Sequence, residues 1–397
     1  MGSKTASGVP MRNGCSGGTT GVVTQVNCSS LEQLLPFAAG REPMPATNRQ
    51  LFDANVSLLP ERSIMKLLRH LAIVLLFFGL VACGDSSGPS LSTVSSANAP
   101  ASQTTPAPDR KKVGFVMKTL TNPFFIEMEK GARRAEQELN IELVVKTAAQ
   151  ETSIEQQIQI VEDLIAAGVD AIVIAPGDSQ RLVPVLKKAS DAGIKLVNID
   201  NRLDAEAIRQ AGGKEIPFIS VDNEKSAYRS AAFIAEGAPA GTQAAILEGI
   251  RSADNARQRM EGARRAFADN PNIRLVASES ANWKIDEGYA VTKQMFARHP
   301  EIRLLFAAND MMALGALKYL EETKRSQVKV ASYDALEEAV AEVRAGRLAV
   351  TVDQQAAEQG FQGVLLASRL IKGDTVPALM LIDTRLVTAA SLNQPRQ

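Results

Sequence analysis

From Lys112 onward, short apolar runs of strand length alternate with amphipathic stretches of helical length, and this alternation limits the fold more than any other feature. VGFVM is followed by a helical pattern over 123–139, IELVVKTA by one over 153–167, AIVIAP by one over 179–191, and KLVNID closes the series. Nearly continuous apolar runs mark strands covered on both faces, and the helices between them serve as crossovers of a parallel sheet. The spacing predicts an α/β fold with a doubly wound parallel sheet. Gly168 and Gly193 fall just past two of the helical stretches, where C-caps belong. The rhythm pauses across NRLDAEAIRQAGGKEI, then resumes at PFISVD and runs through AAILEG, RLVASES, LLFAAND, VKVASYD and LAVTVDQ. The restart predicts a second lobe, with a cleft where the loops at both sets of strand ends converge.

Ahead of this region the sequence changes character three times. Residues 1–64 are rich in Gly, Ser, Thr and Pro and carry no sustained period, so no folded module is expected there. From Met65, two basic residues (Lys66 and Arg69) precede the apolar stretch LAIVLLFFGL, which LVAC closes with small residues before Cys83. Basic start, short apolar core and small-residue end read as a secretory signal over 65–82, since a spanning helix needs ~20 apolar residues. Such signals act at an amino terminus, which makes Met65 the expected start and residues 1–64 an artefact of start-codon choice. Residues 84–110 are dominated by Ser, Thr, Ala and Pro and bury too little apolar surface to fold, so they read as a tether.

Composition excludes several functions. Lys plus Arg and Asp plus Glu both number 44, so no basic excess points to nucleic acid. All three cysteines (Cys15, Cys28 and Cys83) precede residue 84, which leaves the α/β region without a disulfide framework or a Cys-based metal site. His70 and His299 are the only histidines, too few for chemistry built on a His cluster. No cofactor or metal is expected, and no catalytic residue.

The loop after the first strand carries the clearest chemistry. In KKVGFVMKTLTNPFF, a polar bend over 118–122 leads to Pro123, which opens a helix, and Asn122 stands beside two rings, Phe124 and Phe125. An amide that both donates and accepts, next to a flat apolar face, suits a sugar, with its hydroxyl rim and C–H face. Aromatic pairs after a strand are more often core. Trp283, the single tryptophan, sits among polar residues in SANWKIDEG, which burial alone explains poorly. Asp334 and Asp310 both stand where N-caps of following helices would.

KTLTNPFF, VNID, SVDNEKSAY, SADNARQRMEG, FAANDMMALGAL, SYDALEEAV and VTVDQQAAEQG resemble, in order and spacing, the motifs of the ribose-binding family of periplasmic sugar-binding proteins, the type I solute receptors of ABC transporters. The resemblance covers residues 112 to about 390. It implies two lobes joined by a multi-strand hinge, one of 111–221 plus 355–383 and the other of 222–354 plus 384–397. It also implies a monomeric, non-enzymatic receptor that closes on a monosaccharide or cyclic polyol and presents it to an ABC permease. Stacking rings are carried over to Phe124, Phe125 and Trp283, and hydrogen-bonding groups to Asn122, Asp200, Arg257, Asn309, Asp334 and Gln354. On this reading Asn309 meets ligand and Asp310 caps a helix. LVAC resembles a bacterial lipobox, which implies lipidation of Cys83 and attachment to a membrane in the periplasm or cell envelope.

The chain departs from the ribose-binding pattern at Lys118, Ala175 and Asn201, with Arg202 one place late. These changes put ribose in doubt and leave another pentose, a hexose, an inositol-like polyol or a sugar acid paired to Lys118. Lys118 and Asn201 join the candidate site. An unpaired buried ammonium is costly, so Lys118 needs a carboxylate, ligand or water. Rival readings are a sugar sensor for a chemoreceptor or sensor kinase, a LacI-type regulator core and an enzyme. A regulator needs a helix-turn-helix where this chain has a signal and tether. An enzyme needs a nucleophile, metal cluster or phosphate loop that no motif supplies. Mass spectrometry of the natively expressed protein is expected to find lipid on Cys83 and no residues from 1–64. Cys83→Ala is expected to release or leave unprocessed a domain that still binds sugar.

Overall fold

The computed structural model describes residues 110–393. The leader, the signal stretch, Cys83, the tether apart from Arg110, and residues 394–397 lie outside them. Among the described residues, two six-stranded sheets account for the strands. The first runs β1 (Lys112–Met117), β2 (Glu142–Thr147), β3 (Ala171–Ile174), β4 (Lys195–Ile199), β5 (Phe218–Ser220) and, much later in sequence, β11 (Leu379–Leu381). Its spatial order is β11-β5-β4-β3-β1-β2, all pairs parallel. The second contains β6 (Thr242–Glu248), β7 (Ile273–Ser280), β8 (Ile302–Ala307), β9 (Lys329–Ala331), β10 (Val350–Asp353) and β12 (Arg385–Thr388). Its order is β12-β10-β9-β8-β6-β7, parallel except for the β10–β12 pair. Strand order reverses at β1 in one sheet and β6 in the other, so each sheet has a switch point at which ligands collect.

The helices are α1 (Pro123–Leu139), α2 (Ile154–Ala166), α3 (Val183–Asp191), α4 (Ala205–Gln210), α5 (Asn223–Ala235), α6 (Asp254–Ala268), α7 (Ile285–Arg298), α8 (Asp310–Glu322), α9 (Glu337–Arg344), α10 (Ala356–Ile371) and the short α11 (Ala389–Leu392). Sequence signals account for α1 from end to end. Asn122 accepts from the Phe124 amide as N-cap, Pro123 supplies the first turn, and Asn140 ends the helix at φ 51°. Phe124, Met128, Gly131, Ala132 and Ala135 form the buried stripe between. Gly168 and Gly193 adopt φ of +64° and +86° past α2 and α3, as expected of residues ending helices. The third helix begins later than its pattern suggests, because Asp178 accepts from the Gln180 and Arg181 amides and holds that segment in a turn. The pause holds a helix of its own, α4, capped by Asp204.

The chain passes between sheets at three places, after β5, after β10 and after β11. These segments are tied to one another. Ile382 N–H donates to Ser220 O at 2.8 Å, Ser226 and Thr384 share a hydroxyl bond at 2.8 Å, and Gln355 Nε2 reaches Asp383 O at 2.6 Å. These three linked segments carry the chain between the lobes, where a hinge would lie. Among the described residues, no helix is long and apolar enough to cross a membrane.

After crossing back, α10 packs on the first sheet, its Gly363 against Val173 and Ile199, and on α1. Glycines set how closely α1 and α10 approach. A Cβ at Gly131 would stand 1.7 Å from Ala357 O, and one at Gly360 2.0 Å from Met128 O. The backbones themselves would have to separate. Gly131→Ala is expected to destabilise the domain by roughly 1–3 kcal/mol or more in urea unfolding, despite its higher helix propensity.

Candidate ligand-binding site

One pocket is lined from both sheets. The first lobe contributes Lys118, Asn122, Phe124, Phe125, Glu151 and Asp200. The second contributes Asn255, Arg259, Trp283, Asn309 and Asp334, with Gln354 from the crossing after β10. Each stands just past the carboxyl end of a parallel strand, or in the first turns of the helix that follows. Backbone strain gathers there too. Of the eight non-glycine residues with positive φ among the described residues, Asp200 (62°), Trp283 (67°) and Asp334 (118°) line the pocket, Asn282 and Ala335 adjoin them, and Gln355 follows Gln354. Sharp turns at strand ends aim these side chains inward.

In the first lobe Lys118 is buried and meets Asp200 at 2.7 Å, with Glu151 3.9 Å away. A carboxylate partner therefore meets the need that the sequence raised. Asn122 divides its amide, the oxygen capping α1 and the nitrogen donating to Glu151 at 2.9 Å. Burial raises the Glu151 carboxyl above its ordinary range, opposed by the charge of Lys118 and the Asn122 bond. Phe124 and Phe125 meet edge to face with centroids 5.1 Å apart, and Lys118 Nζ lies 5.5 Å from the Phe125 centroid.

Arg259 organises the second lobe. Its guanidinium, 3% exposed, donates to Asn223 Oδ1 (2.8 Å), Ala308 O (3.0 Å), Asp334 Oδ1 (3.4 Å) and Gln354 Oε1 (3.1 Å), and lies 3.7 Å from the Tyr333 ring centroid. Those bonds engage four of its five N–H groups. Gln354 in turn donates to Asp334 at 2.6 Å. Burial pushes the Asp334 carboxyl well up, and Arg259 opposes this. Trp283 lies flat on Gly249, where a Cβ would come within 2.0 Å of the indole, and its carbonyl accepts from Asn309 Nδ2 at 3.3 Å. It is 4% exposed and belongs both to the core and to the pocket wall.

Several expectations change. Arg257 does not reach the pocket. It is half exposed and bonds to Asp254 and to Arg251 O on its own lobe, because two residues along a helix turn a side chain to the opposite face. The spacing did contain the signal, since Arg259 falls on the buried stripe of Asn255, Gly262, Ala263 and Ala266. Asn201 is buried behind the pocket, donating to Pro176 O and accepting from the Asn255 amide. Arg202 stacks on Phe218, away from the site. Asn309, not Asp310, caps α8 by accepting from Met312 N–H, and it lines the pocket as well. Asp310 is fully buried and accepts from the Ser332 and Thr351 hydroxyls and the Leu336 amide, while α9 begins beyond Asp334 at Glu337. The pocket also holds Glu151, Asn255 and Arg259, which no sequence motif singles out.

The periplasmic binding protein domain is matched over residues 113–375. The chain belongs to the periplasmic binding protein family. Among its relatives, the D-ribose/D-allose-binding protein of Pseudomonas aeruginosa is 41% identical over 271 residues, covering 68% of this chain and 84% of that protein. The ribose import binding protein of Escherichia coli is 32% identical over 302 residues, covering 76% and 96%. An ABC transporter periplasmic solute binding protein from Actinobacillus succinogenes, solved with bound D-allose, superimposes with a TM-score of 0.67 at 37% identity, covering 71% of this chain and 98% of that one. The two-lobed fold of this periplasmic binding protein is thus that of its family.

Burial also pushes the Asp310 carboxyl up to about 7. The folded pKa stands above the unfolded value of about 3.9, so the stability gained from the neutral form is complete below pH ~4 and lost as pH rises through ~7. Asp310→Asn, which keeps an acceptor for Leu336 and a donor for the two hydroxyls, is expected to remove a slope of roughly 1 kcal/mol per pH unit across that window in urea titrations.

Proposed function

We propose that this protein binds one neutral monosaccharide or cyclic polyol outside the cytoplasm and delivers it to an ABC permease. The observation that carries the reading is the pocket wall itself. Rings of Phe124 and Trp283 share it with Asp200, Asn122 and Arg259, and two buried polar atoms, Trp283 Nε1 and Asn255 Oδ1, have no protein partner among the described residues. A buried donor or acceptor left unmet costs about 1–3 kcal/mol, and a ligand rich in hydroxyls meets both kinds. Two relatives support the same ligand class, one named for D-ribose and D-allose and another solved with D-allose.

Charge argues for a neutral ligand over a sugar acid. Lys118 and Arg259 face Glu151, Asp200 and Asp334, and both cations already hold a carboxylate. A further carboxylate would enter a buried site without a free counter-ion. Recognition of hydroxyls by such groups requires no bond to break, so the protein acts as a receptor and not as an enzyme. The signal-like stretch ending at Cys83 supports a periplasmic location with a lipid anchor.

A thermal-shift panel of pentoses, hexoses, polyols and uronic acids tests this, since ligand at ~100 times Kd stabilises by about 2.7 kcal/mol. A neutral sugar or polyol is expected to raise Tm and alter Trp283 emission saturably. Trp283→Ala is expected to lose roughly 1–3 kcal/mol of binding, whereas Arg257→Ala keeps wild-type affinity. Stabilisation by uronic acids alone would overturn the neutral-ligand reading.

A further inference from the structure

Helix α6 opens towards the first lobe without a cap of its own. The N-cap residue, Ala253, has extended backbone angles (φ −91°, ψ 132°) but no side-chain oxygen to receive the first free amides. Those amides are instead met across the cleft. Asp254 N–H donates to Ser179 Oγ at 2.9 Å, and Asn255 N–H donates to Asn201 Oδ1 at 3.2 Å. Ser179 N–H also donates to Ser252 O at 3.2 Å.

The acceptors are fixed from behind. Asn201 Nδ2 donates to Pro176 O at 2.9 Å and to Ser179 Oγ at 3.4 Å, which turns Oδ1 towards α6, while Ser179 O accepts from the Asp204 amide at 2.8 Å. Ser179 and Asn201 are both essentially fully buried, and neither lines the pocket. We propose that Ser179 and Asn201 cap α6 from the opposite lobe, and that this cap is a latch which favours closure before ligand adds its own contacts. When the lobes part, the two amides lose their acceptors and turn to water. Ser179 and Asn201 are thus positioning residues that set affinity through the closed population.

Only the link to affinity rests on the receptor reading, so two separate measurements on the full chain are needed. Intramolecular energy transfer between one dye on each lobe reads the closed fraction without ligand, and calorimetry with D-allose and D-ribose reads Kd. Ser179→Ala is expected to lower the ligand-free closed fraction and to weaken binding roughly two- to tenfold, the scale of one hydrogen bond, with little change in ligand-free Tm. Ala253→Ser, which gives α6 a cap in its own lobe, is expected to raise ligand-free Tm while also lowering the closed fraction. A purely structural role for Ser179 would lower Tm and leave the closed fraction alone. A ligand-free wild type found wholly open, or a Ser179→Ala closed fraction equal to wild type, overturns the latch. Failure of the wild type to bind either sugar bears on the proposed ligand class and leaves the energy-transfer result standing.

Discussion

A guanidinium survives burial only when nearly all its N–H groups are met, and the second lobe is arranged to meet those of Arg259. The carbonyl after β8, the carboxylate after β9, the amide after β10 and the start of α5 all turn towards it. Four segments distant in sequence are drawn to one point at the carboxyl edge of the sheet. The Tyr333 ring covers the cation on one side, and that tyrosine is itself so buried that its hydroxyl is pushed up to about 12. Removing the charge would strand Asp334, whose carboxyl burial already favours in its neutral form.

The first lobe solves the same problem with a smaller cation. Lys118 sits between Asp200 and Glu151, and Asn122 holds Glu151 while capping the helix that carries both phenylalanines. One loop thereby couples helix start, ion pair and ring position. The two centres face each other across a small pocket, each supplying fixed donors and acceptors that need little reordering when a hydroxyl arrives. The crossings after β5 and after β10 are each bonded to the crossing after β11, and the capping of α6 by residues of the other lobe adds a further tie between the lobes.

The sequence by itself determined the fold class, because strand and helix periods report which face of each segment is buried. It also determined α1 with both its ends, while the motifs that resemble the ribose-binding family marked Asn122, Phe124, Phe125, Asp200, Trp283, Asn309, Asp334 and Gln354, which turn out to line one pocket. Arg259 was legible in the helical stripe it shares with Ala263 and Ala266, yet matching by motif selected Arg257, two residues away and on the wet face. Glu151 left no trace, since it sits in an aperiodic loop whose burial depends on what packs above it. Asn201 posed a different difficulty. Its amide would serve a ligand or a neighbouring lobe equally well, and only the arrival of Asn255 at 3.2 Å assigns it to the lobe. Periodicity records how a segment faces its own sheet, but contacts between residues 54 positions apart depend on how two sheets meet, and that is decided in three dimensions.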